Sequence, residues 1–326
     1  MKDKFPFAVG VELTGIRKEY SPTSDISSVA DNNSLTDAAS RLVSAAMAKR
    51  YPDHYRISNY RDVHCVEFPS PIFKTLGEMK QFYDFTMAQF AKYYIAPHHP
   101  EIVCGGNHLH FELDDLEWIK KVLRDSVSRP WLPWVFTQPD DTTSCSNYDD
   151  AHLGKKIRRV SRFIKDSVNP EPPYTYCSPT SFGFHYMLTN DNPYSSFKQW
   201  GGATASKDFA FSFDHLPSSK AFRSKKFKDE MAFVLEIRCV EAPLNWSEMM
   251  DQLDFFIRYV NWVKARPMPK GRTRLWKKKE LQSIRRCDCV KEFYALLHQL
   301  GLDSKRYEKY VRRNLYTRWN LKRKRL

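Results

Sequence analysis

Apolar residues recur along this chain at two spacings, and the spacing changes from segment to segment. Four short stretches alternate or run apolar as strands do: FAVGVEL at 7–13, VHCVEF at 63–68, HLHFEL at 108–113 and MAFVLEIRCV at 231–240. Each carries an ionisable residue inside its apolar run: Glu12, Glu67, His108 with His110, and Glu236 with Arg238. Residues two apart on a strand point to one face, so His108 and His110 project together, as do Glu236 and Arg238. An acid inside an apolar strand is costly to bury without a partner. Four strands that each deliver such groups describe a site built on a sheet.

Other stretches follow the helical period. Asn33-Ser34 opens a helix through LTDAASRLVSAAMAKR, with Leu42, Ala46 and Met47 placed on one face. Thr75-Leu76-Gly77-Glu78 has the spacing of a capping box ahead of a helix to about Tyr94. Asp114 or Asp115 can cap a helix through Arg124. Asn245 or Ser247 can cap a long amphipathic helix to about Val263, carrying Met249, Met250, Leu253, Phe256, Ile257 and Val260. The pattern predicts an α+β fold, an antiparallel sheet with its polar face open and the helices near 35–50, 75–94 and 246–263 on the other.

Two segments depart from both periods. From about 129 to 180 the chain is rich in Pro, Asp, Ser and Tyr, a composition that suggests a substrate loop or a surface insertion. Arg158, Arg159 and Arg162 within it could line a substrate or form a solvated face, and His185 beyond it could flank an acceptor. A linker-like stretch, Arg266-Pro267-Met268-Pro269-Lys270-Gly271, precedes helical stretches near 290–300 and 305–323 that interleave Tyr307, Tyr310, Tyr316 and Trp319 with Arg and Lys.

Charge sharpens that division. The 326 residues carry a formal +14, but 264–326 holds 21 Lys/Arg against 5 Asp/Glu, leaving 31 basic and 33 acidic residues in 1–263. The expected organisation is therefore a near-neutral catalytic domain, 1–263, and a basic helical C-terminal extension, 264–326. Nucleic acid or an acidic protein surface would suit the extension, through phosphate contact and stacking. Equally, its aromatics could pack on the main domain while its charge keeps it soluble.

Composition narrows the remaining classes. The length allows one large core or two modest ones. No run of about 18 uncharged apolar residues suggests a membrane span, and the start MKDKFPFAVG lacks the apolar run of a signal peptide. Seven scattered cysteines do not form a secreted disulfide framework, and Cys287-Asp288-Cys289 has no second pair at zinc spacing. The expected location is the cytoplasm, or the host cytoplasm for a viral protein.

The ordered set Gly10-Val11-Glu12, Glu67-Phe68-Pro69-Ser70-Pro71, Gly105-Gly106-Asn107-His108-Leu109-His110 and Glu236-Ile237-Arg238 resembles the amidoligase family. These are carboxylate–amine ligases related to glutamine synthetase and the glutamate–cysteine ligases. The resemblance spans residues 8 to 262 and implies a glutamine-synthetase-like antiparallel sheet. It implies ATP and Mg²⁺ or Mn²⁺ as cofactors, with Glu12, Glu67, His108 and Glu236 as metal ligands. His108 and Arg238 would act in catalysis, and His110, Arg238, Gly105 and Gly106 would bind the nucleotide. Amino-acid or peptide carboxylates and amines would be the substrates, joined through an acyl phosphate. One position departs from the pattern: where the family places a second acid on the first strand, this chain has Thr14. Glu19, Asp62 or Glu112 would have to replace it, or the site holds fewer ions.

Two other classes compete with the ligase. One is a catalytically degenerate amidoligase fold that serves as a nucleic-acid-binding or virion assembly protein, as in a phage. The other is a metal-dependent phosphoesterase, because the same Glu and His set suits two-metal hydrolysis. Nothing in the sequence specifies an oligomeric state.

Overall fold

The computed structural model describes residues 3–17, 26–62, 65–96, 107–113, 115–129, 131–136, 211–212, 233–237, 239–267 and 285–316. They form a mixed α+β fold around one antiparallel sheet. Its strands are β1 (Lys4–Arg17), β2 (Arg61–Asp62), β3 (Cys65–Pro69), β4 (Phe73–Thr75), β5 (Ile95–Ala96), β6 (His108–Leu113), β7 (Phe211–Ser212) and β8 (Phe233–Ile237). The order is β2-β3-β1-β6-β8-β7, with β4 and β5 also pairing with β1. The long first strand is thus the centre on which the others assemble.

The register of these pairs separates two faces. Val9 lies opposite Phe111, Val11 opposite Leu109, and both Phe111 and Leu109 oppose apolar residues of β8, Leu235 and Ile237. All are buried and pack under the helices. Alternate positions carry Gly10, Glu12, His108, His110 and Glu236 to the other face.

Helices α1 (Ile26–Arg50), α2 (Leu76–Lys92), α3 (Leu116–Ser128) and α5 (Trp246–Lys264) supply the packed layer. The Thr75/Glu78 capping box that opens α2 has both reciprocal hydrogen bonds, Asp115 caps α3, and Asn245 caps α5. Contact with the sheet is close: a Cβ at Gly15 would come within 2.4 Å of Ile95 and 2.9 Å of the Phe90 ring, so only glycine lets α2 approach there. The face expected for α1 is corrected. Its buried positions are Thr36, Ala39, Ser40, Val43, Ser44 and Met47, whereas Leu42 is exposed. Within this stripe Ser44 is satisfied, donating to Arg56 O and accepting from Ser58 N.

A second correction concerns the start of the Pro-rich segment. Residues Leu132–Phe136 form a short helix, α4, with every side chain buried. Phe136 stacks among Phe255, Phe256 and Tyr310, with ring centroids 4.7, 4.9 and 5.2 Å away. Charge and proline content hid the local run WLPWVF, which is apolar enough to be core.

The described part of the basic segment forms α6 (Arg286–Gln299), α7 (Ser304–Tyr310) and a π-helical turn, Val311–Tyr316. Cys289, Phe293, Leu296, Leu297, Tyr307, Tyr310, Val311 and Leu315 belong to the same hydrophobic cluster as the sheet and α5. Tyr307 and Tyr310 are fully buried, and their hydroxyls donate to Asp251 O and Glu248 O on α5. Tyr307 and Tyr310 thus pack against the rest of the fold; Trp319 lies outside the described residues. Buried Cys289 and exposed Cys287 point to different environments, so they do not make a ligand pair.

Candidate metal centre on the sheet

The site is a consequence of register. Glu12 on β1 is directly opposite His108 on β6; two residues back, Gly10 is opposite His110, which is in turn opposite Glu236 on β8. Directly opposed residues hold their Cβ atoms about 5 Å apart, so three adjacent strands deliver four side chains to one spot. Position 10 is close to both neighbours: a Cβ there would be in ordinary contact with the His110 Cβ at 3.4 Å and Ser70 Oγ at 3.7 Å. Ser70 fixes this edge by accepting from Val11 N at 2.9 Å and donating to Pro71 O.

One donor atom from each of Glu12, His108, His110 and Glu236 lies within 4.8 Å of all the others. His108 Nδ1 is 3.0 Å from Glu12 Oε2 and 3.4 Å from Glu236 Oε1, and His110 Nε2 is 3.9 Å from Glu12 Oε2. Glu236 and His108 are buried, Glu12 and His110 partly so. Burial alone would raise the Glu12 pKa. The attraction of His108, its hydrogen bond and the field of His110 together outweigh that, against opposition from Glu236, and lower it to about 2. Glu12 is therefore ionised and available as a ligand at neutral pH.

A buried polar network holds β6 behind this cluster. Asn107, fully buried, takes its backbone N–H to Val240 O at 2.8 Å and its side-chain amide to Gln252 Oε1 at 3.1 Å. Gln252 in turn donates to Glu241 O at 2.9 Å. The residue before His108 and the chain after Glu236 are thereby tied to the same turn of α5. Gln252 was missed by sequence reasoning; the signal was a polar residue between Met249, Leu253 and Phe256 on the apolar stripe of α5.

The expected residues divide into three groups. Glu12, His108 and Glu236 converge, joined by His110, which was expected at the nucleotide. Glu67 is on the same face but outside the four-donor cluster, because it is opposite Thr14, one pair further along β1. Arg238, Gly105, Gly106, Glu19, Arg158, Arg159, Arg162 and His185 lie outside the described residues. Among the acids considered in place of Thr14, Glu112 pairs with Ala8 and Val234, beyond His110 and away from Thr14. No helix among the described residues is long and apolar enough to cross a membrane.

No protein-family model matches the chain, and no curated protein matches it. Several solved structures do match. One is the complex between the prokaryotic ubiquitin-like protein Pup and its ligase PafA, at 8% identity and a TM-score of 0.42. The alignment covers 96% of this chain, which spans 65% of that one.

Proposed function

We propose that the protein is an ATP-dependent carboxylate–amine ligase of the amidoligase type, forming an amide or isopeptide bond through an acyl phosphate. The observation that supports this reading best is the convergence of Glu12, His108 and Glu236 from three strands onto one sheet face, in the order the sequence motifs anticipated. A carboxylate is a poor electrophile, so joining it to an amine in water requires activation, and phosphoryl transfer from ATP supplies it. The donor set fits a divalent cation, since two carboxylates and two imidazoles stand within ligating range of one another. Bound there, the ion would neutralise phosphate oxygens as charge shifts during transfer.

The chain's own groups then have separable roles. Glu12 and Glu236 would hold the cation, and the Glu12–His108 contact orients both side chains. Arg238, two residues after Glu236, is assigned to the transferring phosphoryl, where a guanidinium fork outperforms an ammonium. Gly105 and Gly106, just before the His-x-His strand, would let backbone approach the nucleotide, and Glu67 would complete the charged face beside Thr14. The substrates would be amino-acid or peptide carboxylates and amines. ADP release with ATP, Mg²⁺ or Mn²⁺ and pooled amino acids and peptides is the direct assay. Release that requires an added carboxylate and amine is the expected result; release as fast without them would point to hydrolysis instead.

A further inference from the structure

The cation that suits a ligase of this class is Mg²⁺, which favours oxygen donors and dehydrates reluctantly. The donor set on this sheet is of another kind. His110 joins His108, so half the donors are imidazole nitrogens, which suit Mn²⁺, Co²⁺, Zn²⁺ or Fe²⁺ better than Mg²⁺. The separations of 3.0, 3.4 and 3.9 Å bracket the roughly 3.4 Å expected between ligands of a tetrahedral ion with bonds near 2.1 Å. One sequence feature points the same way: Thr14, not a second acid, lies opposite Glu67 on β1.

We infer that Glu12, His108, His110 and Glu236 form one two-histidine, two-carboxylate centre for a single transition-type divalent ion, selective against Mg²⁺. The inference rests on the proposed function only in taking this face as the working site, and it holds for the protein without nucleotide. His110 is then a ligand, and a cation with affinity for nitrogen occupies the position that oxygen donors alone would give to Mg²⁺.

Co²⁺ titration of the full-length, metal-stripped protein tests this without ATP, because its visible absorption reports the ligand set. One Co²⁺ per chain is expected, displaced by Zn²⁺ and retained in about a hundredfold excess of Mg²⁺. His110→Ala should weaken Co²⁺ at least about tenfold and shift its bands, and His108→Ala should remove them. Pulsed EPR of the Cu²⁺-loaded wild type counts coordinated imidazoles with no variant involved, so misfolding of a variant does not leave the question open. Two imidazoles support the assignment. A single imidazole, Mg²⁺ displacing Co²⁺ at comparable concentration, or an unchanged spectrum in folded His110→Ala overturns it. Co²⁺ binding as described with no ATP binding would defeat the ligase reading alone; Mg²⁺-ATP binding with a Co²⁺ spectrum indifferent to His110 would defeat this inference alone.

Discussion

Among the described residues, buried and partly buried acids gather on the sheet and along α5, and their partners differ in kind. On the sheet, Glu12 and Glu236 face the imidazoles of His108 and His110. Along α5 and the strand exit before it, Glu241, Glu248, Asp251 and Asp254 face guanidinium and ammonium groups. Arg313 reaches Glu241 and Glu248, Arg306 spans Asp251 at 2.6 Å and Asp254 at 3.0 Å, Lys309 is 2.7 Å from Asp251, and Arg258 is 2.8 Å from Asp254. Arg and Lys stay protonated and offer no lone pair at neutral pH, so in the second cluster they can pair with the acids and hold the helices together but cannot serve as metal ligands. Imidazole can serve as a ligand as well as a charge. The same two carboxyl chemistries are therefore structural in one place and suited to a cation in the other. Three cations of the basic segment, Arg306, Lys309 and Arg313, are thus directed at the acids of α5 and the strand exit.

The comparison breaks most visibly if the C-terminal helices are removed. A cut after Val263 strips Phe293, Leu296, Leu297, Tyr307 and Tyr310 from the common core. At about 1.5–3 kcal/mol for each large apolar side chain, the loss rivals the whole stability of an ordinary domain. The truncated chain should show no cooperative melt by circular dichroism; a melt close to that of the full chain would mean that these helices are not part of the core.

Single charges should separate the two regions. Arg313→Ala leaves Glu241 and Glu248 buried without their cation and should cost about 3 kcal/mol in urea denaturation, with metal affinity retained. Glu236→Gln should do the reverse, removing metal binding while changing the stability of the metal-free protein by about 1 kcal/mol or less. Loss of metal affinity in Arg313→Ala at unchanged stability would erase the distinction.

pH gives the two regions opposite signs. Burial raises the Glu241 pKa to about 7 despite the lowering effect of Arg313. Folded Glu241 thus keeps its proton where the unfolded chain has lost it, so its contribution is full below about pH 4.5 and fades as pH rises through 7. Glu12, lowered to about 2, contributes above about pH 4.5 and loses that contribution as pH falls toward 2. Urea midpoints at pH 3, 5 and 8 should show Glu241→Gln flattening the fall between 5 and 8. They should show Glu12→Gln flattening only the acid side. The smallest effect lies outside both regions, where Thr75→Ala should cost about 1 kcal/mol through the lost cap of α2 and leave metal binding and both pH slopes alone.

Local pattern made the polar face of the sheet readable. Alternation placed Glu12, His108 and Glu236 on strands, and cap chemistry located the starts of α2, α3 and α5. What pattern could not supply was register between distant strands, and a shift of one pair decides who meets whom. That is why Glu67 was grouped with Glu12 although it is opposite Thr14, and why the closeness of His110 to Glu12 and Glu236 was not foreseen. Likewise, Ser44 lies in the buried stripe of α1, donating to Arg56 O and accepting from Ser58 N, while Leu42 is exposed, a division that no helical period predicts. The basic helices looked appended because charge dominates their composition. Their burial depends on acids of α5 that a helical wheel of α5 alone would leave unexplained.

Calorimetric titration of ATP with Mn²⁺ into the wild-type protein and into Glu236→Ala tests the central claim most directly. Metal-dependent binding in the wild type, abolished in Glu236→Ala while the fold and the Arg313 ion pairs remain, is the predicted result. Equal affinity in the two proteins would contradict it.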